Sequence, residues 1–361
     1  MVTGKERVLA AVDHEEPDRV PVCAWYTPEA EKKLSKYLGI DSLQTETYKS
    51  AGGPLPLKME HDLLITWIGP CTGYYAHDTP EYMDEWGIGW KWFKNPSGGS
   101  YTEMVRHPLT NLKDPDSFDI PDFSEDERYE GSRELIAKYG DEYAVMGGVA
   151  CTLFELSWYL RGLEKVMEDM LINKDFAHKF FDKLMKWVIV AGRKLIELGV
   201  DIIWIGDDVG MQDRMLMAPK LWREFLKPRY ALIFEEFRKV NPDIKTAFHT
   251  DGYVEPIIPD FIEIGLDILN PVQPKSMNPA KLKKLYGDRL TFWGTVDIQE
   301  VLPFGTPRNV EEEVKLRLKT VGKGGGLIIS PAHNIQPDVS INNILAFYHA
   351  ARKYGRYPLN F

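Results

Sequence analysis

The feature that most narrows the fold is a repeated order of elements. Over the C-terminal two-thirds of the chain, a short β-branched run gives way to a polar or Gly-rich turn and then to a helical stretch, again and again. This alternation means parallel strands joined by crossover helices. The predicted strands fall at residues 143–150, 202–207, 245–250, 268–272, 290–295 and 327–330. Two more are expected upstream, at residues 20–25, where Pro21 is tolerable at a strand's start, and at residues 62–67, ahead of Gly69-Pro70. Eight strands with helical connections specify an α/β fold, a single (β/α)8 TIM barrel over residues 1–361.

Local signals agree with that order. Thr3-Gly4-Lys5-Glu6 is a capping box that opens a short amphipathic helix, rather than the apolar core of a signal peptide. Thr27-Pro28-Glu29 starts a second helix that Gly39 can close. In the stretch 175–198, Phe176, Phe180, Leu184, Trp187 and Ala191 recur at helical spacing and are read as core. Residues 74–122 break the rhythm. They are rich in Gly, Pro, Trp and Tyr, with alternation from Gly87 to Phe93, and are read as a β-hairpin inserted after strand 2 over one mouth of the barrel.

Charge excludes some partners. There are 44 basic and 54 acidic residues, a net of −10, which disfavours nucleic acid and anionic membranes. No apolar run approaches the roughly 20 residues that would span a bilayer. Cys23, Cys71 and Cys151 show no CxxC spacing, so neither a disulfide framework nor a thiolate zinc site is indicated, and a cytoplasmic location is expected.

Active sites of such barrels lie at the C-terminal ends of the strands. There the sequence supplies Trp25 and Tyr26, Trp67, Cys151 with Phe154 and Glu155, Asp207-Asp208, His249-Thr250-Asp251, Gln273, Asp297 and His333-Asn334. His249 and Asp251 are two apart on a strand, so their side chains face one way with Cβ atoms roughly 7 Å apart. With His333 they form a set that suits zinc or another borderline divalent ion. A hydrogen-bonded cluster without metal is the alternative. Only one of Asp207 and Asp208 is expected to face the site, with the other capping the next element. Asp297 is read either as a functional group or as a turn cap. Glu155 is read as an acid at the pocket wall or as a partner of its helix dipole. The aromatic supply, with Trp25, Tyr26, Trp67 and Phe154 among it, favours a flat, largely apolar substrate.

Several blocks together carry a family resemblance over nearly the whole chain. They are Lys5-Glu6-Arg7-Val8-Leu9-Ala10-Ala11 with Glu16-Pro17-Asp18-Arg19-Val20-Pro21, then Asp207-Asp208, Phe248-His249-Thr250-Asp251-Gly252, Gly294-Thr295-Val296-Asp297 and Pro331-Ala332-His333-Asn334. In this order the chain resembles the uroporphyrinogen decarboxylase superfamily. True decarboxylases carry an Arg-Gln-Ala-Gly-Arg loop after strand 1, where this chain has Ala24-Trp25-Tyr26-Thr27-Pro28. Their tyrosine after strand 3 falls at Leu156, and only the strand-8 histidine, His333, is retained. The superfamily's thiol methyltransferases hold zinc with His-x-Cys and a further Cys, at positions that read His249, Asp251 and His333 here.

The pattern is similar to that of the O-demethylase methyltransferases. The resemblance therefore implies transfer of a methyl group from an aryl methyl ether to the Co(I) of a cobalamin-type corrinoid on a partner protein. His333, Asp207 and Glu155 would be the catalytic candidates. Trp25, Tyr26, Trp67, Phe154, Gln273 and Asp297 would line the substrate, and His249, Asp251 and His333 would hold any zinc. Tetrapyrrole decarboxylation and a non-catalytic corrinoid-binding barrel are the rival readings. Nothing in the sequence excludes a homodimer.

Overall fold

The computed structural model describes residues 2–40, 53–69, 80–94 and 100–361. Cys71 and part of the aromatic insertion, residues 74–79 and 95–99, lie outside them. The framework is a seven-stranded parallel sheet in the order β1 (Leu63–Ile68), β5 (Ala144–Ala150), β6 (Ile202–Gly206), β7 (Lys245–His249), β8 (Ile268–Val272), β9 (Thr291–Val296) and β10 (Leu327–Pro331). Nearly every residue of these strands is buried, the pattern expected when helices cover the outer face and side chains fill the inner one.

The eighth expected strand is not a strand. Residues 20–25 make one isolated bridge, Val22 with Ile329, flanked by those of Arg19 with Arg356 and Tyr26 with Ile335. Even so, the Ile329 N–H donates to Pro21 O (2.9 Å) and the Asp62 N–H to Val22 O (3.0 Å). One short segment thus reaches both edges of the sheet, whose curl is barrel-like. Pro21 has no N–H to give a ladder, which is one reason this segment cannot extend its pairing.

The insertion is also more than a hairpin. β2 (Glu81–Met83), β3 (Gly89–Lys94) and β4 (Ser100–Arg106) form a three-stranded antiparallel sheet. Trp86 packs edge-on to Trp187 of the helix Lys174–Leu198, and Trp90 edge-on to Tyr159 of the helix Phe154–Arg161. The segment after β4 is pinned to that second helix. The Leu109 N–H donates to Leu160 O (2.7 Å), and Arg161, itself paired with Asp169 (2.5 Å), donates to the carbonyls of Leu109, Thr110 and Leu112.

Caps set the helix starts. The Thr3–Glu6 capping box is present on the helix Gly4–Val12. Thr27 occupies the N-cap of Pro28–Leu38 without a side-chain cap bond, so Pro28 and the left-handed Gly39 (φ 68°) delimit that helix. Among the described residues no helix is long and apolar enough to cross a membrane.

Candidate functional site

The ends of β7, β8 and β10 bring His249, Asn270, Asp251 and His333 together. His249 closes β7 and is buried. Its ring can sit there because β6 offers Gly206 in register, where a Cβ would lie 2.6 Å from His249 Cβ. Its Nδ1 donates to Oδ1 of Asn270 (2.7 Å), the residue opposite it on β8. An imidazole so held presents the lone pair of Nε2, the tautomer of a metal ligand or a proton acceptor. Nε2 faces Asp208 Oδ1 at 3.7 Å and Asp251 Oδ1 at 3.9 Å. His333 Nε2 stands 3.6 Å from Asp251 Oδ2. Asp251 is aimed by Gln273, whose Nε2 donates to Oδ1 (3.0 Å) while its Oε1 accepts the Gly252 N–H (2.7 Å).

One ligand atom each of His249, Asp251 and His333 lies within 4.8 Å of the others. Ligand atoms around a tetrahedral zinc stand roughly 3.4 Å apart. The trio would need to contract to hold such an ion, and its three ligands would leave a tetrahedral ion one position short.

The adjacent aspartates divide their work. Asp207 is fully buried and accepts from Thr152 Oγ1 (2.5 Å), Tyr230 OH (2.5 Å), the Leu153 N–H (2.9 Å) and the Glu155 N–H (2.8 Å). It ties β6 to the start of the helix Phe154–Arg161, and its hydrogen bonds run there and not to the histidines. Asp208, one residue on and hence pointing the other way, faces His249 and accepts the Asp251 N–H (2.8 Å). Two-fifths of its side chain stays open to the cleft (41%), yet its low-dielectric surroundings, then the Asp251 carboxylate, raise its pKa, against the pull of His249 and His333.

Glu155 is buried at the start of its helix and accepts from Tyr159 OH (2.9 Å). Burial first, then Asp208 and Asp207, push its carboxyl well above the ordinary glutamate range, while the Tyr159 hydroxyl opposes. Its surroundings therefore favour the protonated carboxyl.

Below the histidines lies a floor of indoles. Trp25 meets Trp67, Trp204 and Trp293 edge-on at centroid distances of 5.7, 5.9 and 5.3 Å, and Trp204 lies 5.0 Å from the His249 ring. Gly148 of β5 makes room for Trp67, since a Cβ there would come within 2.3 Å of the ring. Trp25 and Trp67 keep partial exposure, whereas Trp204 and Trp293 are buried.

Other expected site residues are elsewhere. Tyr26 alternates away from Trp25, and its hydroxyl is 2.5 Å from Tyr348 OH, which in turn meets His61 Nε2 at 2.6 Å. Phe154 is wholly buried in the core. The Asp297 carboxylate accepts the Gln299 N–H (2.8 Å) and caps its own turn. Gln273 orients Asp251 as described. Asn270, Asp208, Trp204 and Trp293 are neighbours that the sequence reading did not assign. The register between β7 and β8 picks out Asn270, and Trp204 shares the strand parity of Asp208.

The chain belongs to the uroporphyrinogen decarboxylase (URO-D) family, whose family model matches residues 96–354. Among curated relatives it is 27% identical over 217 residues to a methylcobamide:CoM methyltransferase, MtaA, of Methanosarcina barkeri, a match that spans 60% of each chain. It is 24% identical to a uroporphyrinogen decarboxylase of Psychromonas ingrahamii over 96% of both chains. In fold it is similar to a methyltransferase from Methanosarcina mazei, with a TM-score of 0.72 at 22% identity over 98% of this chain and 99% of that one.

Proposed function

We propose that this chain is a methyltransferase of its family, moving a methyl group from an aryl methyl ether to the Co(I) of a corrinoid carried on a separate partner protein. The observation that carries this reading is the pairing of the indole floor with His249, Asp251 and His333 where the strands end. No lysine or arginine ends a strand of the parallel sheet, and His249 closes β7. A flat apolar ring suits the indoles, whereas a polycarboxylate would meet carboxylates. Likeness to a named methylcobamide:CoM methyltransferase supports the choice of corrinoid chemistry.

In transfer from an ether, the C–O bond breaks as the methyl carbon passes to cobalt, and the aryl oxygen must be neutralised. Trp25 and Trp67 would support the ring. Asn270 and Gln273 would hold His249 and Asp251 in place. His333, one-third exposed at the cleft, would donate a proton to the departing oxygen, with Glu155 as the buried acid behind it. Such proton donation typically contributes about 10²- to 10⁴-fold. A zinc ion, if held by His249, Asp251 and His333, would supply Lewis-acid stabilisation of that oxygen.

Likeness over nearly the full length to a decarboxylase keeps tetrapyrrole decarboxylation as the second reading. The experiment is to incubate the chain with a reduced corrinoid protein and a panel of methyl donors while following the cobalt spectrum. Cobalt methylation from a methoxyarene is expected. Its absence with every donor, or conversion of uroporphyrinogen to coproporphyrinogen above background, would overturn the proposal.

A further inference from the structure

We infer that Asn270 is a specificity-determining residue of this site. Its side-chain NH2 donates a hydrogen bond to the ether oxygen of the methyl donor, so that the cleft prefers an oxygen-linked methyl group to a sulfur-linked or carbon-linked one. The inference rests on the aryl-ether reading above and narrows it to the atom that carries the methyl group.

Half of the Asn270 amide is committed and half is not. Its Oδ1 accepts from His249 Nδ1 (2.7 Å), and that bond sets which way round the amide stands. Nδ2 then carries two N–H groups that meet no hydrogen-bond partner among the described residues. The residue is only 3% exposed, so this is a nearly buried donor without an acceptor. The strands aim it at the cleft. Asn270 lies opposite His249 in the β7–β8 ladder, and both side chains leave the face of the sheet that Trp204 lines. Along β8, Ile268, Leu269 and Val272 are wholly buried, and of these four residues Asn270 alone keeps an opening. Its Nδ2 is not closed off, unlike the unpaired indole nitrogens of Trp25 and Trp204 and the unpaired hydroxyl of Thr295.

Neighbouring neutral donors are already spoken for. Gln273 gives Nε2 to Asp251, Thr152 and Tyr230 give their hydroxyls to Asp207, and Ser330 gives its own to Pro331 O (2.8 Å). Asn270 is left to read a neutral acceptor on the ligand. An aryl ether oxygen offers it a lone pair. A thioether sulfur accepts only weakly and a methylene not at all, so either would leave both N–H groups unpaired in the wall of the cleft. Solvent meets such a donor before binding, and a ligand that displaces it without supplying an acceptor forfeits that bond. Sites built on a buried donor reject analogues that lack the acceptor far more strongly than apolar pockets reject a small change of shape.

The test compares three ligands of closely similar shape, methoxybenzene, methylthiobenzene and ethylbenzene, by calorimetric titration into the protein without corrinoid partner. Methoxybenzene should bind about tenfold more tightly than either analogue. Asn270→Asp keeps the acceptor for His249 Nδ1 and removes both donors, while Asn270→Leu removes the donors without adding charge. Each variant should bring the three affinities to within about twofold of one another. If neither variant folds, a crystal structure of the unmodified protein with methoxybenzene decides, with the ether oxygen expected within about 3.2 Å of Nδ2. Equal binding of the three ligands, a preference that survives in both variants, or an ether oxygen turned away from Nδ2 overturns the role of Asn270 while leaving the aryl-ether reading intact. Failure of all three ligands to bind overturns the aryl-ether reading, and this inference with it.

Discussion

The two ends of the barrel-like sheet handle charge in opposite ways. At the N-terminal end Asp62 is buried and saturated. It accepts from Arg7 Nη1 (2.6 Å), from Arg19 Nη1 and Nη2 (2.6 and 2.8 Å) and from the Val22 N–H (2.8 Å), while Arg7 also grips Asp18 with two nitrogens (2.7 and 2.9 Å). At the C-terminal end His249, Asp208, Asp251 and His333 stand 3.6 to 3.9 Å apart, close enough to feel one another and too far to satisfy one another. Satisfied charge closes the sheet through residues 20–24. Unsatisfied charge is what a ligand could complete.

The largest effect should come from breaking the saturated end. Asp62→Ala strands two arginines beside a buried hole and should cost about 3 kcal/mol or more, read by urea unfolding. His333→Ala should change stability by less than about 1 kcal/mol. A similar loss in both would erase the distinction between the two ends.

Next in size is the effect of His333→Ala on turnover. With a plain methoxyarene, cobalt methylation should fall about 10²-fold or more, and with a nitro-substituted donor by clearly less, because its phenolate leaves with less help. Equal losses for both donors would point to positioning, and unchanged rates would remove His333 from the chemistry.

The neighbouring aspartates carry the same contrast on a smaller scale. Asp207→Asn turns an amide NH2 toward the donors of Thr152, Tyr230, Leu153 and Glu155 and should destabilise by about 1–3 kcal/mol. Asp208→Asn should be neutral or stabilising, since it removes a charge held against Asp251. Thermal unfolding of the two variants side by side decides this.

The smallest effect is confined to one pH window. Glu155 has a folded pKa raised above its unfolded value of about 4.5, so the unfolded chain binds fewer protons in between, and stability from this group falls as pH rises through the raised pKa. Glu155→Gln should therefore match the unmodified protein below about pH 4.5 and become relatively more stable at higher pH. His61 gives the opposite slope. Burial lowers its pKa to about 3, so stability falls as pH drops from about 6.5 toward that value.

Much of this fold could be read from the sequence because strands buried on both faces appear as unbroken apolar runs. The expected strands at 143–150, 202–207, 245–250, 268–272, 290–295 and 327–330 coincide with β5 to β10 to within a residue or so at each end. Residues 20–25 have the composition of a strand but bond through single bridges, a distinction that depends on neighbours and not on residue type. The insertion's alternation revealed strands but not their number. For the candidate site, the rule that chemistry gathers at the strands' C-terminal ends picked out His249, Asp251 and His333, which the structure brings together. Which way each side chain points was harder to read. One step of parity separates Trp25 from Tyr26 and Asp208 from Asp207, and parity follows from register, which a lone sequence leaves open. Asp297 and Phe154 have residue types suited to a site and are used locally, as a turn cap and as core.

The small antiparallel sheet has a consequence for how such proteins diversify. Its anchorage is concentrated on one helix, through Trp90 on Tyr159, the Leu109–Leu160 bond and the grip of Arg161 on three carbonyls. That same helix carries Glu155 in its first turn and is fastened by Asp207. Changes at the far strand tips can therefore accumulate over generations without disturbing the parallel sheet, while any change at the anchor is felt at Glu155. Laboratory grafts that keep residues 107–112 and Arg161 should therefore leave the parallel sheet intact.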